Sequence, residues 1–302
     1  MADIHYKQRV AVVTGAGSGI GKAYALELAK RGASVIVNDL GCDTAGNGHD
    51  EASADTVATA IKELGGTAIA HYGDIATSAG GQSLIDLAVN SCGRIDILVN
   101  NAGITRDKTL LKIEEADWDR VVDIHLKGAF NTTKPALKVM KENNYGRMVF
   151  TTSGVGLYGN FGQTNYAAAK LGLVGFLQTL GLETMKYNIK CNAIAPLAAT
   201  RMTADLFPPN LAALLQPEPV AALGLYLLSE QNSATGGIYN AAGGWYSRSE
   251  IICYEGAVIG DGKEAITPED IQAHWDDING RKNGKRLNNL HESFQYIAPL
   301  LK

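Results

Sequence analysis

Hydrophobic and polar positions along the chain follow two alternating patterns. Short runs rich in β-branched residues predict seven strands, at residues 9–14, 34–38, 67–71, 95–99, 147–152, 190–194 and 237–240. Longer segments with helical spacing of apolar residues predict helices at 20–31, 53–64, 82–92, 114–142, 164–187 and 220–229. This alternation is typical of βαβ units, so we predict an α/β fold with a doubly wound parallel sheet.

The pattern changes near residue 251. Charged residues make up 14 of the 52 positions from 251 to 302, against 44 of the first 250, and no strand signal occurs there. Thr267 and Pro268 resemble the start of a helix, and 276–280 resembles an end. We therefore predict a main domain at 1–250 and a C-terminal helical extension at 251–302, which is too short to form a core alone.

Composition excludes several classes of protein. The chain of 302 residues is 46% hydrophobic and 19% charged, with a net charge of -4, so no basic surplus favours nucleic acid or a membrane surface. The cysteines have no metal-ligand spacing, and no uninterrupted apolar run reaches the length of a membrane span. Residues 1–9 lack an apolar signal region, and the chain does not end in S-K-L. We expect a soluble, intracellular and cytoplasmic protein without a metal, or a peroxisomal one if it is part of a larger multifunctional enzyme.

A glycine-rich turn follows the first predicted strand. Gly15, Gly19 and Gly21 allow a tight turn and bring a pyrophosphate close to the N-terminus of the first helix, whose N–H groups favour anions. The turn predicts a dinucleotide site of the Rossmann type, and the alternative is a purely structural turn. Asp39 ends the second strand, where an acid accepts hydrogen bonds from ribose hydroxyls and repels a 2′-phosphate. This favours NAD over NADP, unless Asp39 is simply a solvated strand end.

Three residues form a candidate catalytic group. Tyr166 and Lys170 are four positions apart near the start of a predicted helix, so they project from one face, and a lysine cation lowers the pKa of a nearby phenol. Ser153 follows the fifth predicted strand and reaches the same edge of the sheet. The alternative for Tyr166 and Lys170 is an ordinary exposed helical pair.

Residues 7–248 resemble the short-chain dehydrogenase/reductase family. The motifs that carry this resemblance are the glycine turn at 14–21, residues 100–103, Ser153 and the pair of Tyr166 and Lys170. The resemblance implies that Tyr166 is the acid/base, that Lys170 modifies its pKa and binds the nicotinamide ribose, and that Ser153 orients the substrate oxygen. It also implies a homodimer or homotetramer, with the extension packed on or across the dimer. The cofactor-binding residues that it implies are Gly15, Ser18, Gly19, Ile20, Gly21, Asp39, Asp74, Ile75, Asn101, Ala102, Gly103, Tyr166, Lys170 and Pro196.

His125 departs from the family pattern. The family has a catalytic Asn before a leucine in the long helix, and this chain has His125 before Leu126. Because the family residue acts partly through its main-chain carbonyl and a water, His125 is retained as a fourth catalytic candidate. The alternative is a histidine packed in the core.

Further stretches resemble the (3R)-hydroxyacyl-CoA dehydrogenases that form part of peroxisomal multifunctional enzymes. They are residues 38–41, 124–126, 158–166, 191–196 and 201–203, and the likeness continues from 243 to 275. Leu197 departs from it, because the relatives carry Asn there. The resemblance implies NAD-dependent oxidation of (3R)-hydroxyacyl-CoA to 3-ketoacyl-CoA. The alternatives are a 3-oxoacyl-carrier-protein reductase, another short-chain alcohol or ketone dehydrogenase, and a non-catalytic NAD-binding protein.

Two groups of residues are candidates for contact with an acyl-CoA substrate. The segment 202–215 is apolar enough to form a lid, through Leu206, Phe207, Leu211, Leu214 and Leu215, although core packing explains these residues equally well. Arg106, Lys108 and Lys112 follow the fourth strand and are candidates for binding CoA phosphates, with simple solvation as the alternative.

Overall fold

A central sheet organises the fold. The computed structural model describes residues 3–203, 206–261 and 264–301. Its main sheet has eight strands in the order β3-β2-β1-β4-β5-β6-β7-β8, and the pairs from β3 to β7 are all parallel. The strands are β1 Val10–Thr14, β2 Ser34–Asn38, β3 Thr67–His71, β4 Ile97–Asn100, β5 Gly146–Thr151, β6 Ile189–Leu197, β7 Ile238–Ala242 and β8 Trp245–Ser249. The doubly wound fold is confirmed.

The eighth strand was not predicted. β8 follows β7 after Gly243 and Gly244, both of which have a positive φ. Its residues are exposed or only partly buried, so no apolar run marks it in the sequence. An edge strand needs no continuous hydrophobic pattern, because part of its surface faces solvent.

Helices cover both faces of the sheet. One buried cluster contains residues of α1, α2 and α9, and a second contains residues of α3, α5 and α7. The helices of this part of the chain are α1 Gly19–Lys30, α2 Ala52–Glu63, α3 Ser78–Cys92, α4 Glu115–Val122, α5 Gly128–Glu142, α6 Gly154–Tyr158, α7 Thr164–Glu183, α8 Pro209–Leu214 and α9 Pro217–Leu228. The strand order reverses between β1 and β4, where parallel sheets of this kind bind ligands.

The stretch predicted as one helix at 114–142 is helical from Glu115 to Glu142, but its helical geometry changes midway. A π-turn at Asp123–Lys127 separates α4 from α5, and Pro135 lies inside α5. Hydrophobic periodicity does not reveal a π-turn, because one extra residue within a single turn leaves the patterns on both sides intact. The π-turn contains His125.

One apolar stretch has the length and hydropathy of a membrane span. Among the described residues, only Pro209–Leu228 meets these criteria. The structure divides it at Leu215 and Gln216 into α8 and α9, and half of the residues of α9 are buried. α9 packs against α1 in the core, so its apolar character is explained by packing within the domain.

The chain divides into two compact units, Met1–Arg248 and Ser249–Lys302. In the second unit, β9 Ile252–Cys253 pairs antiparallel with β10 Lys285–Arg286. Its helices are α10 Pro268–Ala273, α11 Trp275–Ile278 and α12 Leu290–Ile297, and none of the three buries a residue. Thr267 and Asp270 form a capping box at the start of α10, as the predicted helix start requires. The packing of this extension on or across a dimer remains a prediction.

Two buried tyrosines at the contact between α1 and α9 differ in their hydrogen bonding. The Tyr6 hydroxyl donates to the carbonyl of Leu225, whereas the Tyr24 hydroxyl has no partner among the described residues. A Cβ atom at Gly224 would lie 1.9 Å from the Tyr24 hydroxyl oxygen, so glycine leaves the space that this hydroxyl occupies. Burial raises the pKa of both phenols, and both therefore remain neutral.

We predict opposite effects when each hydroxyl is removed. Tyr6→Phe leaves a buried carbonyl without its donor and should lower the free energy of unfolding by about 1 kcal/mol. Tyr24→Phe removes an unpaired polar group and should leave that free energy unchanged or raise it. Urea denaturation of the two variants and the wild type measures both effects, and a larger loss for Tyr24→Phe than for Tyr6→Phe would contradict the prediction.

Candidate active site

Hydrogen bonds join the glycine turn after β1 to the segment after β4. The Thr14 hydroxyl donates to the Val99 carbonyl and accepts from the N–H groups of Asn101 and Ala102, at 3.0 and 3.1 Å. The Asn101 amide donates to the carbonyls of Thr14 and Gly15. A Cβ atom at Gly15 would lie 2.7 Å from the Ala102 Cα. The two segments therefore approach so closely that only glycine fits at position 15.

The turn leads directly into α1. Gly19 has a φ of 53° and begins the helix, and a Cβ atom at Gly21 would lie 2.1 Å from the Gly15 carbonyl oxygen. The first turn of α1 contains no acidic residue, and Ser18 makes no side-chain cap hydrogen bond there. The N–H groups at this end are therefore available to an anion. Arg201 donates from Nη2 to the Ser18 hydroxyl at 3.0 Å, a cation that the sequence analysis missed.

One cavity collects the predicted site residues. It has a volume of about 420 Å³ and lies at the carboxyl edge of the strands. The residues of the predicted catalytic and cofactor groups that line it are Gly15, Ser18, Gly19, Ile20, Asp39, Asp74, Ile75, Asn101, Ala102, Gly103, His125, Ser153, Tyr166, Lys170 and Pro196. Of the predicted site residues, only Gly21 does not line the cavity. The glycine-lined approach to α1 and the buried acid at its edge fit a dinucleotide.

Asp39 is buried at the end of β2 and is held by main-chain groups. One carboxylate oxygen accepts from the Gly17 N–H at 2.8 Å, and the other accepts from the Gly41 N–H at 2.7 Å. Each oxygen retains acceptor capacity for a hydroxyl group. Because Asp39 forms no ion pair within the described part of the chain, its negative charge is not neutralised by a partner.

Asp74 and Ile75 lie after β3, beside the same cavity. Ile75 is buried, and the Asp74 carboxylate accepts from Arg120 at 3.0 Å. Arg120 also lines the cavity, although the sequence analysis did not select it.

The three catalytic candidates converge at the ends of β5 and α7. Ser153 caps α6 by accepting from the Val155 N–H, and a side-chain hydrogen bond joins Ser153 to Tyr166. The Lys170 ammonium lies 5.5 Å from the centre of the Tyr166 ring and donates to the Thr151 carbonyl at 2.6 Å. Lys170 is only 3% exposed, which excludes the alternative of an exposed helical pair.

Burial changes both acid–base groups in the protein without ligands. It raises the pKa of Tyr166 to about 12, although the hydrogen bond from Ser153 acts in the opposite direction. It lowers the pKa of Lys170 to about 7. The sequence predicts that Lys170 lowers the pKa of the phenol, and this role stays a prediction. In the protein without ligands desolvation is the larger effect on Tyr166, and Lys170 is itself only partly charged at neutral pH.

His125 is buried beside Tyr166 and Gly103. Its Nε2 atom lies 2.8 Å from the Ile104 carbonyl oxygen and 3.0 Å from the Ile104 nitrogen. The rings of His125 and Tyr166 meet edge to face, with their centres 5.1 Å apart. A Cβ atom at Gly103 would lie 2.2 Å from the His125 Cε1, so the imidazole depends on glycine at that position. Burial lowers the pKa of His125 well below its ordinary value, and the ring is therefore neutral.

The proposed lid segment is divided between the cavity and the rest of the domain. Met202, Leu206 and Phe207 line the cavity, as does Leu197, which is 47% exposed. Leu211 and Leu214 lie on α8 and are exposed, whereas Leu215 is buried. Residues 204 and 205, which belong to the same segment, lie outside the described residues.

Two of the three basic residues after β4 form ion pairs with Asp117. Arg106 donates to the Ala45 carbonyl, to the Asn47 side chain and to Asp117, so it is neither solvated nor free for a CoA phosphate. Lys108 donates to the other Asp117 oxygen at 2.7 Å. Lys112 lies in a 3₁₀ turn, is exposed, and remains a candidate for phosphate contact. Arg106 instead fixes the loop between β2 and α2 against the site.

Comparisons with known proteins agree with this geometry. A family model described as short chain dehydrogenase matches residues 9–210. The peroxisomal multifunctional enzyme type 2 of Mus musculus is 42% identical over 298 residues, which are 99% of this chain and 40% of that protein. A short-chain type dehydrogenase/reductase of Mycobacterium tuberculosis is 44% identical over 279 residues, which are 92% of this chain and 96% of that protein.

A solved structure shows the same similarity in three dimensions. The full-length peroxisomal multifunctional enzyme type 2 from Drosophila melanogaster matches with a TM-score of 0.85 and 36% identity, over 99% of this chain and 50% of that chain. The chain therefore spans half or less of the mouse and fly multifunctional relatives, and nearly the whole mycobacterial relative.

The lowered pKa of Lys170 predicts how stability depends on pH. Between a folded pKa of about 7 and the unfolded value of 10.5, the unfolded chain binds more protons, so stability rises with pH. We expect the free energy of unfolding to increase by about 2 kcal/mol from pH 7 to pH 9 through this group. Lys170→Met should remove that part of the increase, as measured by urea denaturation at both pH values. An unchanged slope in the variant would show that Lys170 does not titrate in this range.

Proposed function

The chain belongs to the short-chain dehydrogenase family, and we propose that within it the protein oxidises (3R)-hydroxyacyl-CoA to 3-ketoacyl-CoA with NAD. As a member it is an oxidoreductase that uses a nicotinamide cofactor and acts on a small molecule. The observation that carries the proposal is the hydrogen-bonded Ser153 and Tyr166 on the wall of the cavity that also contains the glycine turn.

In the proposed mechanism, Tyr166 accepts the proton of the substrate hydroxyl while the substrate carbon loses a hydride. A nicotinamide held by the residues that line this cavity would supply the acceptor for that hydride. Ser153 donates a hydrogen bond to the reacting oxygen, which keeps it beside the phenol. Lys170 in its charged form stabilises the phenolate of Tyr166, and it therefore raises the fraction of Tyr166 that is deprotonated and able to accept a proton at a given pH.

Asp39 supports NAD as the cofactor. Its carboxylate is fixed at the end of β2 by two main-chain N–H groups, in the position where an acid accepts hydrogen bonds from ribose hydroxyls. A 2′-phosphate at that position would meet an uncompensated negative charge. The Arg201 side chain reaches Ser18, on the glycine turn, and forms no ion pair with Asp39 among the described residues.

An acyl thioester agrees with the apolar part of the cavity. Phe161, Leu197, Leu206 and Phe207 line it, and they supply the surface that an acyl chain or a pantetheine arm requires. The name of one multifunctional relative, peroxisomal hydratase-dehydrogenase-epimerase, supports a dehydrogenase activity.

A homodimer or homotetramer is proposed as the assembly. Phe130 on α5 and Leu171, Leu182 and Met185 along and just after α7 are each at least 41% exposed. An apolar surface of this kind on two long helices favours burial against a second copy.

The substrate assignment is tested by initial rates with (3R)- and (3S)-hydroxyacyl-CoAs of graded chain length. We expect oxidation of the (3R) series with NAD, and a loss of at least about 1,000-fold in kcat for Tyr166→Phe, which cannot accept the proton. Tyr158→Phe is the matched control, because Tyr158 is exposed at the end of α6, the helix that Ser153 caps. Faster turnover of acyl-carrier-protein thioesters with NADPH would instead identify a 3-oxoacyl-carrier-protein reductase. Unchanged rates in Tyr166→Phe would contradict the enzymatic role of this residue.

The cofactor assignment has a separate test. Asp39→Ala should lower kcat/KM for NAD by about 30-fold, since hydrogen bonds to a charged group are lost, and should lower the preference for NAD over NADP. Asp86→Ala removes the same charge from an exposed position on α3 and should change neither value. Cofactor preference that is the same in Asp39→Ala and the wild type would exclude Asp39 as its determinant.

A further inference from the structure

His71 is a partly buried histidine at the end of β3 that the sequence analysis did not select. The imidazole does not line the cavity, but two of its hydrogen-bond partners, Asn38 and Gly73, do. Asn38 directly precedes Asp39, and it lies at the end of β2. Gly73 directly precedes Asp74. The ring therefore contacts, from outside the cavity, the part of the wall that adjoins both carboxylates.

Two N–H groups approach one nitrogen of this ring. The Asn38 amide nitrogen lies 3.0 Å from Nδ1 of His71, and the main-chain N–H of Gly73 donates to the same atom at 3.3 Å. The Asn38 amide nitrogen also donates to the Gly73 carbonyl at 3.0 Å. Because a carbonyl can only accept, this contact fixes the orientation of the Asn38 amide and makes its nitrogen the donor to His71. Nδ1 is therefore an acceptor and carries no proton.

The second ring nitrogen has the opposite role. Nε2 of His71 lies 3.1 Å from the Ser83 hydroxyl oxygen on α3, and that hydroxyl donates its own hydrogen to the Gly80 carbonyl at 3.0 Å. Ser83 therefore accepts from Nε2–H. The neutral Nε2–H tautomer satisfies both ring nitrogens, whereas an imidazolium would place an N–H at Nδ1 against two other N–H groups.

Close packing leaves the ring little freedom to avoid that conflict. A Cβ atom at Gly73 would lie 2.5 Å from the His71 Cε1, so the ring packs directly on the Gly73 main chain. Asn38 is only 2% exposed. A proton on Nδ1 can be accommodated only if the Asn38 amide and the Gly73 main chain move, and both belong to the cavity wall. Protonation of His71 therefore changes the surface that a dinucleotide would contact.

We propose that His71 is a positioning residue for the adenosine half of the cofactor, which holds Asn38 and Gly73 in place only while its imidazole is neutral. The inference rests on the proposed cofactor site, and it adds to that site a dependence on pH. Protein with a charged His71 is the state that binds poorly, so the apparent dissociation constant rises as the neutral fraction falls. By linkage, the bound cofactor disfavours the proton on His71 to the same extent.

The charges around His71 leave its protonation to burial. Burial lowers the pKa of His71, and among the described residues no carboxylate lies within ion-pair distance of the ring. The carboxylates on the neighbouring segments are bound elsewhere. Asp39 accepts from the N–H groups of Gly17 and Gly41, Asp74 from Arg120 and the Ala76 N–H, Asp55 on α2 from the Tyr72 hydroxyl, and Asp86 on α3 from Gln82.

Calorimetric titration with ADP-ribose tests the inference, because this probe carries the adenosine half of the cofactor and needs neither substrate nor hydride transfer. The wild type should bind it at pH 8. Below the pKa of His71, the dissociation constant should rise by up to about tenfold for each pH unit, in proportion to the loss of the neutral form.

Two substitutions separate the acceptor from its titration. His71→Asn offers an amide oxygen in place of Nδ1 and does not titrate, so it should bind ADP-ribose within about threefold of the wild type at pH 8 and lose most of the pH dependence. His71→Leu has no acceptor for the two N–H groups and should bind about tenfold more weakly at pH 8. His5→Asn is the matched control, because His5 is exposed and precedes β1, away from the carboxyl edge of the sheet. It should keep the pH dependence of the wild type.

Nitrogen-15 NMR of the wild type provides a readout that needs no variant. His71 should be the Nε2–H tautomer, and its pKa should be lower with ADP-ribose bound than without it. A purely structural role for the ring would not produce this second shift.

The same pH dependence in the wild type and in His71→Asn, an Nδ1–H tautomer, or a pKa of His71 that ADP-ribose does not lower would overturn the inference. If neither variant folds, the NMR measurements on the wild type decide. A wild type that does not bind ADP-ribose at pH 8 would refute the proposed cofactor site and this inference together. Binding at pH 8 without the expected pH dependence would refute the inference and leave the proposed function intact.

Discussion

The contact between the turn after β1 and the segment after β4 is the interaction on which the whole site depends. Asn101 donates hydrogen bonds to the hydroxyl and the carbonyl of Thr14 across it, and Gly15 allows the main chains to approach closely. This contact lies where the strand order reverses, so it fixes the position of the α1 N-terminus relative to the residues that follow β4. Those residues lead to Ile104, which anchors His125, and to Arg106, which fixes the loop before α2. The glycine turn of the proposed cofactor site and the residues beside the catalytic candidates are therefore parts of one hydrogen-bonded structure.

Desolvation is the dominant electrostatic influence on the acid–base groups. It raises the pKa of Tyr166 and lowers the pKa of Lys170, so that both groups favour their neutral forms in the protein without ligands. Each buried hydrogen bond to the charged forms then has a large effect, because little solvent competes with it. The pKa values of these groups are therefore more sensitive to their neighbours than they would be on a surface. The neighbours concerned are the Ser153 hydroxyl, the Thr151 carbonyl and the groups around His125.

The sequence predicts those parts of the molecule that depend on local pattern. Seven strands, the glycine turn and the positions of Ser153, Tyr166 and Lys170 follow from periodicity, spacing and family likeness, and the cavity contains nearly all the residues selected. The partners of charged side chains depend instead on segments far apart in the chain. Arg201 reaches Ser18 across 183 residues, and Arg106 bonds to a loop that precedes it by 61 residues. The π-turn around His125 was missed because it adds no apolar residue to the pattern, and the polar edge strand β8 was missed because little of it is buried.

The closeness of Gly103 and His125 restricts how this site can change over time. An alanine at 103 would place its methyl group 2.2 Å from the His125 Cε1, so the two positions cannot vary independently. A lineage that carries the histidine keeps the glycine, and it must lose the ring before any side chain can be accommodated at 103.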